Sequence, residues 1–139
     1  MIILDTNVIS EAMKPGCDPA VRSWLDQQPK ETLFIATISL SELLLGIELL
    51  PPGKRRDGFS AVIEEFLAQV MEGRVLPFDE ASARAYSLLM SRGRAKGLAI
   101  SIPDGQIAAI AKVHGFAVAT RDTGPFEAAG VAVIDPWTL

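Results

Sequence analysis

Little in this sequence could serve soft-metal or covalent chemistry. Among its 139 residues there is one cysteine, Cys17, and one histidine, His114. A lone thiol excludes an internal disulfide framework and a cysteine-based zinc site, and it fits a reducing compartment. His114 precedes Gly115 at the end of a helical pattern, where a cation suits the helix dipole. A Ser-His-Asp mechanism therefore has little support. There is no Gly-rich phosphate loop of the Walker kind. No apolar run approaches the roughly 18 residues that span a bilayer. The first run, "MIIL", stops at Asp5, short of the roughly 7–15 residues of a secretory core. The expectation is a cytoplasmic protein with no membrane contact. Positive charge is also scarce, with 13 Lys and Arg against 17 Asp and Glu and a net charge of -4. That balance excludes a broad basic surface that coats nucleic acid non-specifically.

What is present is apolar material in alternating patterns. Hydrophobic residues make up 49% of the chain, enough for a core in a domain that buries about two-thirds of its surface. The length fits a single domain over residues 1–139, since domains commonly run to about 100–150 residues. "MIIL", "TLFIATI" (32–38), "RVLPF" (74–78), "FAVAT" (116–120) and "VAVI" (131–134) read as strands. Continuously apolar strands of this sort are covered on both faces. Helices are expected over 6–13, 20–28, 39–50, 59–73, 79–97 and 103–115, with "PPGKRRDG" (51–58) a loop and "RDTGPFEAAG" (121–130) a turn-rich connection. Strands alternating with helices predict a three-layer α/β/α domain with a short parallel sheet of four or five strands. The helix over 39–50 is apolar nearly all round, so it is central or packs on another chain.

The position of the acids carries the functional signal. Asp5 ends the first strand, Glu42 falls in the first turn of the helix over 39–50, Asp104 opens another helix, and Asp122 follows a strand by two residues. In a parallel sheet these junctions share one edge, where ligands bind. Each acid also has a plain structural explanation. "SLSE" (39–42) matches a capping box, "SIPD" (101–104) resembles one with proline in the first turn, and Asp79 is most simply an N-cap. Capping explains each acid but does not require them to converge. Converged carboxylates repel unless a proton or a cation sits between them. An oxygen-only donor set suits Mg²⁺ or Mn²⁺, and the chemistry such an ion supports is phosphodiester hydrolysis.

Four segments in order, "LDTNVIS", "SLSELLLGI", "PDGQIAAIA" and "VATRDTGPF", resemble the PIN-domain ribonucleases, in particular the VapC toxins of toxin–antitoxin pairs. "LPFDE" and the tail "IDPW" are similar to the FitB-like subgroup. The resemblance covers nearly the whole chain. It implies a PIN fold, Mg²⁺- or Mn²⁺-dependent endoribonuclease activity, a homodimer, and a small antitoxin that inhibits the toxin and contacts operator DNA on its behalf. Matched residue by residue, it implies an acidic site of Asp5, Glu42, Asp104 and Asp122. Asp5 and Asp104 would be direct metal ligands; Glu42 and Asp122 would act through waters or a second ion. Thr120 and Asn7 would orient Asp5.

Basic residues offer weaker readings. Arg121 could contact phosphate or form a structural ion pair. Arg92 and Arg94 could touch an RNA backbone or simply suit a helix C-terminus. "KRR" (54–56) reads as a solvated loop charge. Two rivals remain. Haloacid-dehalogenase phosphatases also begin with an Asp after an apolar strand, but they need a second acid where this chain has Asn7. A non-catalytic subunit of a DNA-binding repressor complex is the alternative from another class, and the acidic balance fits a protein whose partner meets the DNA.

Overall fold

Residues 1–139 are all described by a computed structural model. Ile2–Leu4 form β1, and Asp5 stops it by capping helix α1 (Thr6–Met13). Helix α2 (Pro19–Asp26) starts one residue before the expected 20, with Asp18 accepting from Ala20 N–H and Pro19 at the first position, where its missing N–H costs nothing. A 3₁₀ turn leads into β2 (Leu33–Ala36). Then follow α3 (Thr37–Glu48), α4 (Lys54–Phe66), β3 (Val75–Leu76), α5 (Glu80–Ala95), α6 (Ile102–His114), β4 (Ala117–Ala119), α7 (Thr123–Ala128) and β5 (Val133–Ile134). The strands form one parallel sheet in the order β3-β2-β1-β4-β5. This is the predicted α/β/α architecture, with five strands.

Side chains alternate across the sheet because the strand period is two. Ile3, Ala36 and Val118 belong to a core with α5, α6 and α7. Their neighbours Leu4, Ile35 and Ala119 belong to a second core with α1, α2, α3 and α4. One-step alternation thus separates two apolar layers. The register aligns Leu4 with Ala119, so Asp5 and Thr120 leave the sheet side by side.

Several boundaries differ from the sequence reading. Thr37 and Ile38 are β-branched, yet they open α3 rather than extend β2. Tertiary context overrides such propensities. Ser39 is therefore inside α3, whose N-cap is Ala36 with no side-chain cap bond, so "SLSE" is not a capping box. Ser39 is fully buried and its hydroxyl has no protein partner. Glu42 consequently lies in the second turn of α3, not the first. "KRRDG" is not loop: α4 begins at Lys54, after Gly53. The predicted helix over 59–73 is the rest of α4, and its end widens into a π turn over Leu67–Met71. Arg74 secures that turn by donating to the carbonyls of Leu33 and Val70. The connection over 121–130 contains α7. "SIPD" and Asp79 cap as expected, Ser101 accepting from Asp104 N–H and Asp79 from Ser82 N–H. No helix is long and apolar enough to cross a membrane.

Candidate functional site

The site grows from the paired ends of β1 and β4. Asp5 N–H donates to Ala119 O at 2.9 Å, which fixes the Asp5 backbone against β4. The side chain then has two tasks. Its Oδ1 accepts from Thr6 N–H at 2.8 Å and caps α1. Its Oδ2 accepts from the Thr120 hydroxyl at 2.8 Å and from Asn7 Nδ2 at 3.5 Å. Thr120 is fully buried, and Asp5 is only 6% exposed. A carboxylate has roughly four lone-pair positions. Asp5 therefore keeps acceptor capacity beyond these bonds.

A network spreads outward from this pair. Asn7 Nδ2 also donates to Thr120 Oγ1 at 3.2 Å, and Asn7 Oδ1 accepts from Arg121 N–H at 3.2 Å. Thr120 Oγ1 accepts from Asp122 N–H at 3.1 Å, which ties the last acid's backbone to the first acid's partner. On the other side, the Thr6 hydroxyl donates to Glu42 Oε1 at 3.1 Å. Thr6 escaped the sequence reading, although its place beside Asp5 was the available signal. Asn7 and Thr120, both singled out in the sequence, meet at Asp5 Oδ2.

The electrostatics tie Asp104 to the same cleft. Burial pushes the Asp5 carboxyl above its ordinary value; bonds from Thr120 and Thr6 oppose this, and the charges of Asp104 and Glu42 add to it. Burial likewise pushes Asp104 up, with Ser101 opposing and the charge of Asp122 adding. Asp5 thus senses Asp104 and Glu42, and Asp104 senses Asp122. Glu42 and Asp122 are exposed, whereas Asp104 is half-buried. As placed, no three of the acidic, histidine or cysteine side chains stand close enough to enclose a metal ion. The four acids share an edge but do not form a closed cage. Their donor chemistry fits a hard divalent cation.

The basic candidates divide. Arg121 forms no ion pair; its guanidinium lies 5.1 Å from the centroid of the Trp137 ring. Trp137 was not singled out beforehand, although it stands in the "IDPW" tail. Arg92 lines a separate cavity of about 180 Å³ with Lys96, Lys112 and Gly130, to which none of the four acids contributes. Arg94 sits with it in the last turn of α5, so the dipole explanation fits both. His114 ends α6 beside Phe116, ring centroids 5.3 Å apart, outside the acidic network.

Comparison with known proteins gives a consistent picture. A family model described as PIN domain matches residues 2–131. The chain is 50% identical over 137 residues to the VapC ribonuclease Y4jK of Sinorhizobium fredii, covering 99% of this chain and 98% of that one. It is 44% identical to the toxin FitB of Neisseria gonorrhoeae, covering 99% of both chains. Among solved structures, FitAB bound to an IR36 DNA fragment superimposes with a TM-score of 0.90 at 44% identity, covering 100% of this chain and 97% of that one.

Proposed function

This chain belongs to the PIN-domain family, and from that premise we propose that it is an Mg²⁺- or Mn²⁺-dependent endoribonuclease, the toxin of a toxin–antitoxin pair. The observation that carries this reading is Asp5: a buried carboxylate, oriented by three donors, under the charge of two further acids. An uncompensated arrangement of this kind is costly unless a cation relieves it. Asp5 and Asp104 are assigned as direct ligands, and Glu42 and Asp122 as holders of the ion's waters. Held by these carboxylates, such an ion would supply Lewis acidity toward the scissile phosphate and toward an attacking water.

The chain's own residues do the positioning. Thr120 and Asn7 hold Asp5 in one rotamer, so its free lone pairs face the cleft. Thr6, at the start of α1, restrains Glu42 of α3. Asn7 fixes the Arg121 backbone, and Trp137 steadies its guanidinium for contact with an RNA phosphate. The acidic surface is a poor match for DNA by itself, so operator contact is assigned to the antitoxin, by analogy with the FitAB–DNA structure. Leu45 of α3 and Leu49, the residue that caps its C-terminus, are 59% and 74% exposed, an apolar stripe suited to a homodimer interface.

That analogue also favours a second reading, in which the chain acts chiefly as the toxin-like subunit of a DNA-bound repressor. Partner-free protein incubated with cellular RNA, Mg²⁺ or Mn²⁺, and EDTA as control decides between them. The expectation is metal-dependent cleavage, lowered at least about a hundredfold in Asp5→Asn and Asp104→Asn, since even supporting residues of metal sites cost about 10–100-fold. Cleavage that survives both substitutions sinks the site assignment. Absence of cleavage by the wild type, with DNA binding only in the partner's presence, selects the repressor subunit.

A further inference from the structure

Beside the acids, a groove of about 310 Å³ runs between α1, α3 and α4, and Thr6 and Glu42 line its end nearest the site. Its size lies in the range of clefts that take small ligands, about 300–1,000 Å³. Cations also line cavities elsewhere, but those receive none of the four acids. In a chain of net charge -4, the groove holds two cations, Lys14 and Arg55, together with the ring of Phe59. Arg55 is exposed, and its guanidinium stands 5.7 Å from the Phe59 centroid. Neighbouring Arg56 is engaged differently, bonded to Glu48 at 2.8 Å. Arg55 has no carboxylate partner, so its donors and its outer face remain available.

We propose that this groove holds the single-stranded RNA on the Glu42 side of the scissile phosphate, with Arg55, steadied by Phe59, as the base-stacking and phosphate-binding residue. The inference rests on the ribonuclease reading above and extends the substrate path away from Arg121. Thr6 reaches Glu42 in the groove, and Asn7, the next residue, reaches the backbone of Arg121. The first turn of α1 therefore lies between the two cation–aromatic pairs, with Asp5 at its root. Unpaired bases stack on arginine planes and aromatic rings, and cationic grooves track the backbone without needing a particular sequence. A duplex offers no free base face to such a platform. Lys14, 62% exposed and only loosely paired with Glu11 at 3.6 Å, supplies a second phosphate contact.

The test measures binding apart from cleavage. A labelled mixed-sequence single-stranded RNA is titrated onto Asp5→Asn protein, alone and combined with Arg55→Gln, Arg55→Lys, Lys14→Gln or Phe59→Leu. Expected losses are about five- to a hundredfold for Arg55→Gln, in line with the stacking energies of single-strand binders. The slope of log affinity against log salt should also fall by about 0.7, one phosphate contact. Arg55→Lys should keep the slope and still lose affinity, because it keeps the charge but not the plane. Phe59→Leu keeps apolar bulk under the groove, and thermal melting checks that it folds. Lys30→Gln, an exposed cation on a neighbouring cavity, should change nothing. If wild-type protein cleaves RNA while the groove variants bind it as tightly as Asp5→Asn alone, the inference is overturned and the ribonuclease reading stands. If the groove variants lose antitoxin binding but not RNA binding, the groove belongs to the protein partner and the inference is equally overturned. If RNA binds through Arg55 but is never cleaved, the groove stands and the ribonuclease reading falls.

Discussion

The two helical layers are made of different material. On one side of the sheet, α6 buries Gly105 and the whole run Ile107–Ala111, in which alanines alternate with the isoleucines at 107 and 110. A Cβ on Gly105 would come within 2.6 Å of Met90 Sδ and 3.0 Å of the Tyr86 ring, so α5 and α6 meet there with no room to spare. On the other side, α4 buries only Ile63. Cavities of about 470 and 310 Å³ open between its helices, the first against α1 and α2, the second against α1 and α3. The first layer is closed where α5 meets α6, and its own cavities, of about 180 and 500 Å³, receive none of the four acids; the other layer is open beside Glu42. The acids stand on the edge where the layers meet: Ile3 faces one core, Leu4 the other, and Asp5 follows. A site at such a seam borrows rigidity from the closed layer and access from the open one.

The largest expected effect tests the closed layer. Ile107 is fully buried under the sheet. Truncation to alanine in a layer that cannot collapse should cost about 2–5 kcal/mol. Urea unfolding of Ile107→Ala measures it, with an unchanged slope indicating an intact denatured reference. A loss below about 1 kcal/mol would mean that this layer repacks freely and is not a rigid scaffold.

A smaller effect is expected at the seam. Asp5→Asn keeps the side chain's shape and removes a charge that burial, Asp104 and Glu42 all disfavour. It also loses acceptor geometry toward Thr120 and Asn7. In EDTA the variant's stability should hold or rise, within about 1 kcal/mol, as expected where function opposes stability. The sign with pH is fixed by linkage. Asp5 has a raised pKa when folded, so between its unfolded and folded values the native state holds more protons. Wild-type stability then falls as pH rises through that window, and Asp5→Asn lacks this contribution. The gap between variant and wild type should widen in the variant's favour from about pH 4 towards neutrality. A gap that is flat or reversed would show that Asp5 is content with its charge and that the cleft exerts no strain.

How far the sequence alone reveals this molecule differs from element to element. α1 and α6 are legible because their signals are local: Asp5, Ser101 and Pro103 mark starts, and Gly115 closes α6 in the left-handed region at φ 69°. α3 is misread because Thr37 and Ile38 have strand propensity, while the turn into the helix is set by the sheet edge and not by a capping residue. α7 is hidden by Gly124 and Pro125, which read as breakers although both sit in the first turn, where a missing N–H is harmless. For the site, the shared edge of Asp5, Glu42, Asp104 and Asp122 follows from parallel topology. What the sequence conceals is lateral: the Thr6–Glu42 bond spans 36 positions, and the Arg121–Trp137 stack depends on where the tail returns.

The smallest effect is expected on the open layer. Val62 stands on α4, is 44% exposed, and lines the larger cavity. Truncation to alanine removes two methyl groups that already touch solvent, so little transfer energy is lost and no closed void is created. Alanine is also the better helix former by a few tenths of a kcal/mol, which offsets part of that loss. The net change in Val62→Ala should lie within about 0.5 kcal/mol, measured in urea beside Ile107→Ala. The contrast is between two aliphatic side chains on helices of the same domain, one shut between layers and one beside a groove. A Val62 loss above about 2 kcal/mol would mean that α4 is packed in solution as tightly as α6, and the groove beside Glu42 would then lack the freedom to admit an RNA strand.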